Sequence, residues 1–424
     1  MNAATSALLR LNPELQRGLW LELTPARLVL MPSLLAAGLG GLYLAGVADL
    51  SQWDQYIMFF LLVPWGSRLA ADSLADEVAQ GTWDIQRMSA SSPWGLALGK
   101  IFGGTAYVWY GTALCLAAFP FLPGAVSGRD VLVTILGGIA AQSAALLVML
   151  VLLGFDRGHR RGSTMAAQLL GIIAGVPSLG SSLAFSLIKG WGERMHWYGG
   201  EFSLADFTLA HQTMMMVWLV IGAGWMIRLQ LGYRGSPLLY FVFALSQVAF
   251  AEGFLFAHGL VPPVAVLSGL AALVLAGLTY VALLASPMAV ADVKRLALTR
   301  SFSLLPSWGL TGGVAIALGA LTVMLGGREW TLAAATLALF VRDIALVGAV
   351  RMMARRRTAL LLVVLAVLLY GLLPQVLAAV GGDGLRAWMF PEMGAKAITL
   401  LGPWGQALAA LTLAGLAWSR HRRD

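Results

Sequence analysis

The groups best placed to do chemistry crowd between Asp72 and Lys100, in DSLADEVAQGTWDIQRMSASSPWGLALGK, where Asp72, Asp76, Glu77 and Asp84 stand near Arg87 and Lys100. No other polar interruption between the hydrophobic runs is as charged. Two helix starts are legible inside it. Ser73 followed by Asp76 has the spacing of a cap that reaches forward and an acid that reaches back, and Ser92-Pro93 sets a cap before a first-turn proline. Between them Gly81-Thr82 is a breaker. The spacing predicts a helix, a tight break and then a new helix entering the bilayer, which makes a folded elbow rather than a loose loop.

Other chemistries lack their residues. A phosphate cradle needs a glycine-rich loop with Lys and then Ser or Thr. The stretch Gly95 to Ile101 is one residue short of that pattern and carries Ile101 where the magnesium-binding hydroxyl belongs. His159, His196, His211, His258 and His421 are scattered, without the paired spacing of a zinc site. No Gly-x-Ser-x-Gly elbow occurs. Glu193, Glu201 and Asp206 form no distinct catalytic carboxylate pair. Cys115 is the single cysteine and lies inside an apolar run, which rules out an internal disulfide and a cysteine metal site. Arg342-Asp343 fall within an apolar run, where ionisable groups are unfavourable enough to need a reason. As neighbours on a helix their side chains diverge by about 100°, so they are expected not to pair simply with each other; Arg342 would snorkel to an interface, or one of them would face a polar cleft.

These groups sit in a chain of 424 residues that is 59% hydrophobic and 11% charged, with a mean hydropathy of +0.80. A soluble domain carries about a quarter charged residues. The composition therefore excludes a soluble globular protein and specifies an all-α polytopic membrane protein. The excess of 28 Lys and Arg over 20 Asp and Glu does not point to nucleic acid, because the basic residues lie in short clusters between apolar runs. A hydrocarbon core takes about 20 apolar residues per helix. About 12 transmembrane helices are expected, near 28–48, 55–71, 101–123, 131–154, 166–188, 207–227, 238–257, 262–284, 307–325, 331–350, 358–380 and 397–418. With the N-terminus and C-terminus both cytoplasmic, every inner segment is basic, as the positive-inside rule asks. The basic run Asp156 to Arg161 is accounted for by the same rule. No cleavable signal pattern precedes the first run.

Before that run, Asn12-Pro13-Glu14 reads as a helix opening. Leu15, Leu19, Trp20 and Leu23 recur at helical spacing, giving an amphipathic segment that lies in the membrane interface or packs on the protein. The outer loops Lys189 to Asp206 and Asp383 to Lys396 mix aromatic and charged residues, which suits short interfacial helices or a plain aromatic belt. Residues 1–232 and 233–424 divide the spans into two sets. A weak echo links them: Arg87, Pro93 and Trp94-Gly95-Leu96 recur as Arg300, Pro306 and Trp308-Gly309-Leu310. A six-plus-six tandem arrangement is one plan this offset allows.

Glu77, Gly81-Thr82 and Gly99-Lys100, with Trp83-Asp84 where an apolar-acidic pair would stand, resemble the cytoplasmic loop of type-2 ABC transporter permeases. The resemblance covers residues 1–232. Ala79 and Gln80 depart from it at positions often charged, and Pro93 lies later than the usual Ser/Thr-Pro. It implies an interfacial elbow helix before the first span, outer re-entrant helices before the sixth, and a coupling helix within 72–100 that docks on a separate ABC ATPase subunit. The coupling residues would be Asp76, Glu77, Gly81, Thr82 and Trp83. Glu77 would offer charge to that partner, Gly81 the sharp break, Thr82 a cap, and Trp83 an anchor in a partner groove. The implied protein is a bacterial-type plasma membrane exporter subunit, surrounded by membrane lipids, without a nucleotide site, cofactor, metal or nucleic acid of its own. Its unidentified substrate would pass between two six-span units, supplied by the two halves of one chain or by a homodimer. An ATPase-independent secondary transporter or a polytopic membrane enzyme is the alternative.

Overall fold

Hydrocarbon cannot hydrogen-bond a backbone, so apolar runs must fold as helices that satisfy their own N–H and C=O groups. The computed structural model describes residues 12–88, 92–124, 126–153, 160–179, 194–233, 235–256, 261–285, 305–326, 330–353, 358–376, 379–380 and 397–423. Two compact units emerge: Met1–Met195 with Glu201–Gly235, and His196–Gly200 with Ser236–Asp424.

In the first unit a short helix α1 (Pro13–Glu22) leads into α2 (Pro25–Leu44), α3 (Leu50–Ala79) and the seven-residue α4 (Thr82–Met88). Next come α5 (Pro93–Gly103) and α6 (Ala106–Phe121), two arms of one apolar stretch bent by 57°. The unit continues with α7 (Gly128–Leu153), α8 (Arg160–Gly175) and α9 (Leu204–Gln230). Helix α7 is the axis, packed by α3, α8 and α9. Small residues let the backbones approach: a Cβ on Gly138 would lie 2.6 Å from the Leu62 side chain, and one on Gly171 would lie 2.7 Å from the Ala141 carbonyl oxygen.

Helix α3 widens into a π-turn at Leu61–Trp65, around Pro64. A proline removes one N–H from the ladder and leaves carbonyls without donors. Two glutamines from neighbouring helices donate to carbonyls within the turn itself. Gln142 Nε2 donates to the Leu62 carbonyl at 3.1 Å and Gln168 Nε2 to the Pro64 carbonyl at 3.0 Å. The Gln142 oxygen in turn accepts from Thr105 Oγ1 and Trp109 Nε1, both at 3.1 Å. One buried amide thus fixes the bend in α3 to the corner between α5 and α6.

The hairpin β1 (Arg194–Trp197) and β2 (Gly200–Ser203) turns through Tyr198 and Gly199, both with positive φ, as a two-residue turn requires. Where short interfacial helices are expected, residues 194–203 are therefore strands. Trp197 Nε1 donates to the Phe250 carbonyl and Tyr198 Oη to the Ala249 carbonyl. Gly253 makes room for Trp197, since a Cβ there would lie 1.9 Å from Nε1. Residues 180–193, the loop 383–396 and most of the basic run 156–161 lie outside the described residues.

The second unit contains α10 (Pro237–Leu255), α11 (Val264–Ala285), α12 (Ser307–Met324), α13 (Trp330–Met353), α14 (358–376) and α15 (Leu401–Arg423). Helix α11 packs along α12, and α13 along α15. Hydroxyl pairs tie α11 to α12: Ser268 with Thr322 at 2.9 Å and Thr279 with Thr311 at 3.0 Å.

Among the described residues nine helices are long and apolar enough to cross a membrane, or ten if the bent α5–α6 pair is one span. The chain is thus a multi-pass helical membrane protein. Two of the twelve expected spans are represented by shorter pieces. At 166–188 there is α8 with a 3-10 turn Val176–Leu179, and at 358–380 the apolar helix is Val364–Val376. Parts of both stretches lie outside the described residues.

Candidate functional site

The acidic stretch does not begin a new helix at Ser73. Helix α3 runs unbroken to Ala79, and Ser73 Oγ donates back to the Ala70 carbonyl. A serine can cap a helix or bond a carbonyl of the preceding turn, and here flanking helix-favouring Ala, Leu and Glu decide for the second. The break comes at Gly81, with φ +72°. Gln80 N–H donates to the Asp76 carbonyl and Gly81 N–H to the Val78 carbonyl, as at a left-handed helix end. Thr82 Oγ1 donates to the Glu77 carbonyl at 3.2 Å, so it does cap, but the helix behind it rather than the one ahead. Helix α4 follows, then Ser92 caps α5 by accepting from the Gly95 N–H at 3.0 Å.

Glu77 is buried, 6% exposed, and is the hub of an ionic cluster. Its carboxylate accepts from Arg17 Nη2, from Lys100 Nζ and, at 3.0 Å, from Gln86 Nε2. Lys100 is 1% exposed and reaches Glu14 Oε1 at 3.4 Å. Arg17 closes the ring on Glu14 through Nη2 at 2.8 Å and Nε at 3.2 Å. Two acids and two bases balance in charge, which is the condition for burying them together. Burial alone would raise the Glu14 carboxyl, but the Arg17 hydrogen bond and the Lys100 charge outweigh it, and Glu14 sits below its ordinary 4.5. The same bond to Glu14 holds the Arg17 guanidinium above its usual value.

Helix α1 brings two of these groups by lying directly on α5. Asn12 caps α1 through Oδ1, accepting from the Glu14 and Leu15 N–H groups, while its Nδ2 donates to the Gly95 carbonyl at 2.8 Å. A Cβ on Gly99 would lie 2.6 Å from Glu14 Cβ, and one on Gly18 would lie 2.4 Å from the Gly103 carbonyl carbon. The glycine before Lys100 is thus the floor on which the amphipathic helix rests. Trp20 and Leu21 of α1 remain exposed.

Trp83 also points inward. It is 6% exposed, packed with Leu74, Leu96, Ile101 and Leu150, and its ring centroid is 5.4 Å from Lys100 Nζ. The structure therefore corrects two expected roles. In this fold Glu77 presents no charge outward, and Trp83 is an anchor in its own bundle, not in a partner groove. The reason is shared: Lys100 is buried and needs a counter-charge and a π-face in place of water. Asp76 is half-buried. The outward face of the elbow belongs instead to Asp84, Ile85, Arg87 and Met88. Ile85 is 65% and Met88 82% exposed, and Arg87 spans 3.5 Å to Asp84. Beside them a cavity of about 70 Å³ opens between Val78, Trp83, Asp84, Arg87, Leu153 and Gln230.

A second polar cluster lies in the second unit. Arg342, 3% exposed, donates through Nε to Asp343 Oδ1 at 2.8 Å and through Nη1 to Gln406 Oε1 at 2.5 Å. Asp343 Oδ2 accepts from Tyr280 Oη at 2.8 Å and from Tyr370 Oη. Arg342 lies 5.0 Å from the Tyr370 ring centroid. The adjacent pair thus does bond, contrary to expectation. The long arginine side chain curves around the helix to cover an angle that short side chains could not. The other expectation for the pair, a polar environment on facing helices, matches Tyr280, Tyr370 and Gln406.

Sequence reasoning missed Asp54. It is fully buried within α3, with the Cys115 thiol of α6 beside its carboxylate. The expected apolar run began one residue later, which put Asp54 in a loop. Among the described residues no group of three or more His, Cys, Asp or Glu is placed to hold a metal ion. No family model matches the chain, and neither do curated proteins or solved structures.

Proposed function

We propose that this chain is the membrane-spanning subunit of an ATP-binding-cassette exporter, driven by a separate ATPase subunit that docks on α4. The observation that carries the reading is the pairing of a free apolar edge with a rigid mount. Ile85 and Met88 face outward one helical turn apart, flanked by Asp84 and Arg87, while Trp83 on the same short helix is wedged into the bundle. A push on α4 would pass through Trp83 to Lys100, and through the Glu77 cluster to α1 and α3. The resemblance of Glu77, Gly81-Thr82 and Gly99-Lys100 to type-2 permeases supports the same reading. It also supports a plasma membrane location and a pathway built from two units, of one chain or of a homodimer.

The test is copurification of the full chain with an ATPase from its native membrane. Ile85→Glu with Met88→Glu should abolish capture of the ATPase and substrate-stimulated ATP hydrolysis, while the variant stays monodisperse in detergent. Undiminished ATPase capture by that variant would overturn the docking site. A second reading, a carrier needing no ATPase, is favoured by the Arg342–Asp343 pair bonded by Tyr280 and Tyr370, the kind of intramembrane ionic group that ion-coupled carriers use. Substrate uptake by ATPase-free proteoliposomes under an ion gradient would decide for it.

A further inference from the structure

Between α11, α12 and α13 of the second unit lies an apolar cavity of about 440 Å³. We propose that it holds one acyl chain of a membrane phospholipid. The proposal does not rest on the exporter reading, since the site lies in the second unit and involves no part of the Glu77 cluster or α4.

Three features select that occupant. The first is polarity. The walls are alkyl and aromatic, and the hydroxyls that reach them are already satisfied. Thr322 donates to the Leu318 carbonyl at 2.8 Å and pairs with Ser268, while Thr336 donates to the Leu332 carbonyl at 2.8 Å. Nothing in the lining demands a polar ligand, and an apolar cavity of this kind stays dry. The second is shape. The lining runs along α11 from Ala265 to Ala276, about 16 Å at 1.5 Å per residue. An elongated trough of that length suits a segment of flexible hydrocarbon chain.

The third feature is placement. Trp330 stands at the end of the cavity shared with Ala265 and Thr322, while Phe340 closes the other end and packs edge-on against Tyr280, with centroids 5.4 Å apart. A tryptophan at the mouth suits the headgroup level and a closed apolar floor suits the hydrocarbon interior. The trough exists because its positions are small. Ala272 and Ala276 on α11 and Ala315 on α12 present single methyls to it, while Gly269 and Gly319 let Thr322 and Leu337 pack close. It is therefore written in the choice of side chains, not in a gap between misfitting helices.

The full chain is reconstituted in phosphatidylethanolamine–phosphatidylglycerol nanodiscs doped with a phospholipid whose acyl chain carries a mid-chain diazirine. After photolysis, adducts are mapped by mass spectrometry. Adducts should concentrate on the lining stretches of α11, α12 and α13. Ala272→Phe should lower labelling there, because its ring occupies the space the acyl chain would take. Val281→Phe, on an exposed part of α11 outside the cavity, should leave it unchanged. Monodispersity and circular dichroism confirm that both variants fold. Adducts spread evenly over all lipid-facing helices, a lining that stays unlabelled, or labelling indifferent to Ala272→Phe would each overturn the proposal.

Discussion

Lys100 shows how one residue organises its surroundings. An ammonium at 1% exposure is tolerable only with a counter-charge and donors satisfied, and Glu77, Glu14 and the Trp83 ring supply these from three separate elements. Removing one partner of a buried pair typically costs about 3–5 kcal/mol, whereas replacing both by apolar isosteres is often neutral. Glu77→Ala should therefore lower the melting temperature sharply, and Glu77→Leu combined with Lys100→Met should recover most of it. Equal damage from the single and the double change would contradict the pairing. By contrast Asp84→Ala should hardly shift the melt, because its bond to Arg87 is an exposed one worth less than about 1 kcal/mol. Glu14 adds a pH dependence. Its carboxyl lies below the ordinary 4.5, so its contribution is complete above that value and lost only as acid takes the pH down through the lower folded one. Relative to the intrinsic exchange rate at each pH, protection of the α1 amides should stay high at neutral pH and fall in acid, and Glu14→Gln should flatten that fall. A transition near pH 7 would refute this account.

At the scale of elements, the bends are as informative as the helices. The π-turn of α3 and the corner between α5 and α6 share one amide, Gln142, which is completely buried. Gln142→Leu would leave the Leu62 carbonyl without its side-chain donor and Trp109 Nε1 without its acceptor. Each unsatisfied buried group costs about 1–3 kcal/mol. Accelerated exchange in both α3 and α6, from a substitution on α7, is the expected signature; a change confined to α7 would show that the bends stand alone. The glycines separate into two kinds. A Cβ at Gly81 meets nothing within 4 Å, so only its left-handed backbone resists substitution, and Gly81→Asn should be milder than Gly81→Val. At Gly99 the obstacle is Glu14 itself, so Gly99→Ala should lift α1 and expose Asn12 and Glu14 to labelling.

For the molecule as a whole, each unit buries its own ionic cluster: Glu77 with Lys100 in the first, Arg342 with Asp343 in the second. Both join separate helices through a long, buried basic side chain, Lys100 from α5 to α3 and Arg342 from α13 to α15. Asp343→Asn should loosen α11, α13 and α14, seen as faster exchange in those helices, while exchange in α1 and α7 of the first unit stays as it was. The division also bears on the echo between the halves. Trp94-Gly95-Leu96 and Trp308-Gly309-Leu310 each open a helix behind a proline, α5 and α12. Only the first is followed by a lysine that calls for a buried acid.

Composition and apolar run length by themselves determined that the chain is a multi-pass bundle of helices, because hydrocarbon leaves the backbone no other way to satisfy its polar groups. Local chemistry likewise determined the break at Gly81 and the caps at Asn12 and Ser92, which depend only on residues a few positions away. Tertiary structure decided which face of the elbow is free. Glu77 and Trp83 look like surface residues beside their charged neighbours, yet Lys100, 23 positions along the chain from Glu77, draws both inward and leaves Ile85 and Met88 outside. Pairing of that kind depends on distances through space that spacing along the chain does not encode. The same holds for Asp54, whose burial beside Cys115 joins residues from two different helices.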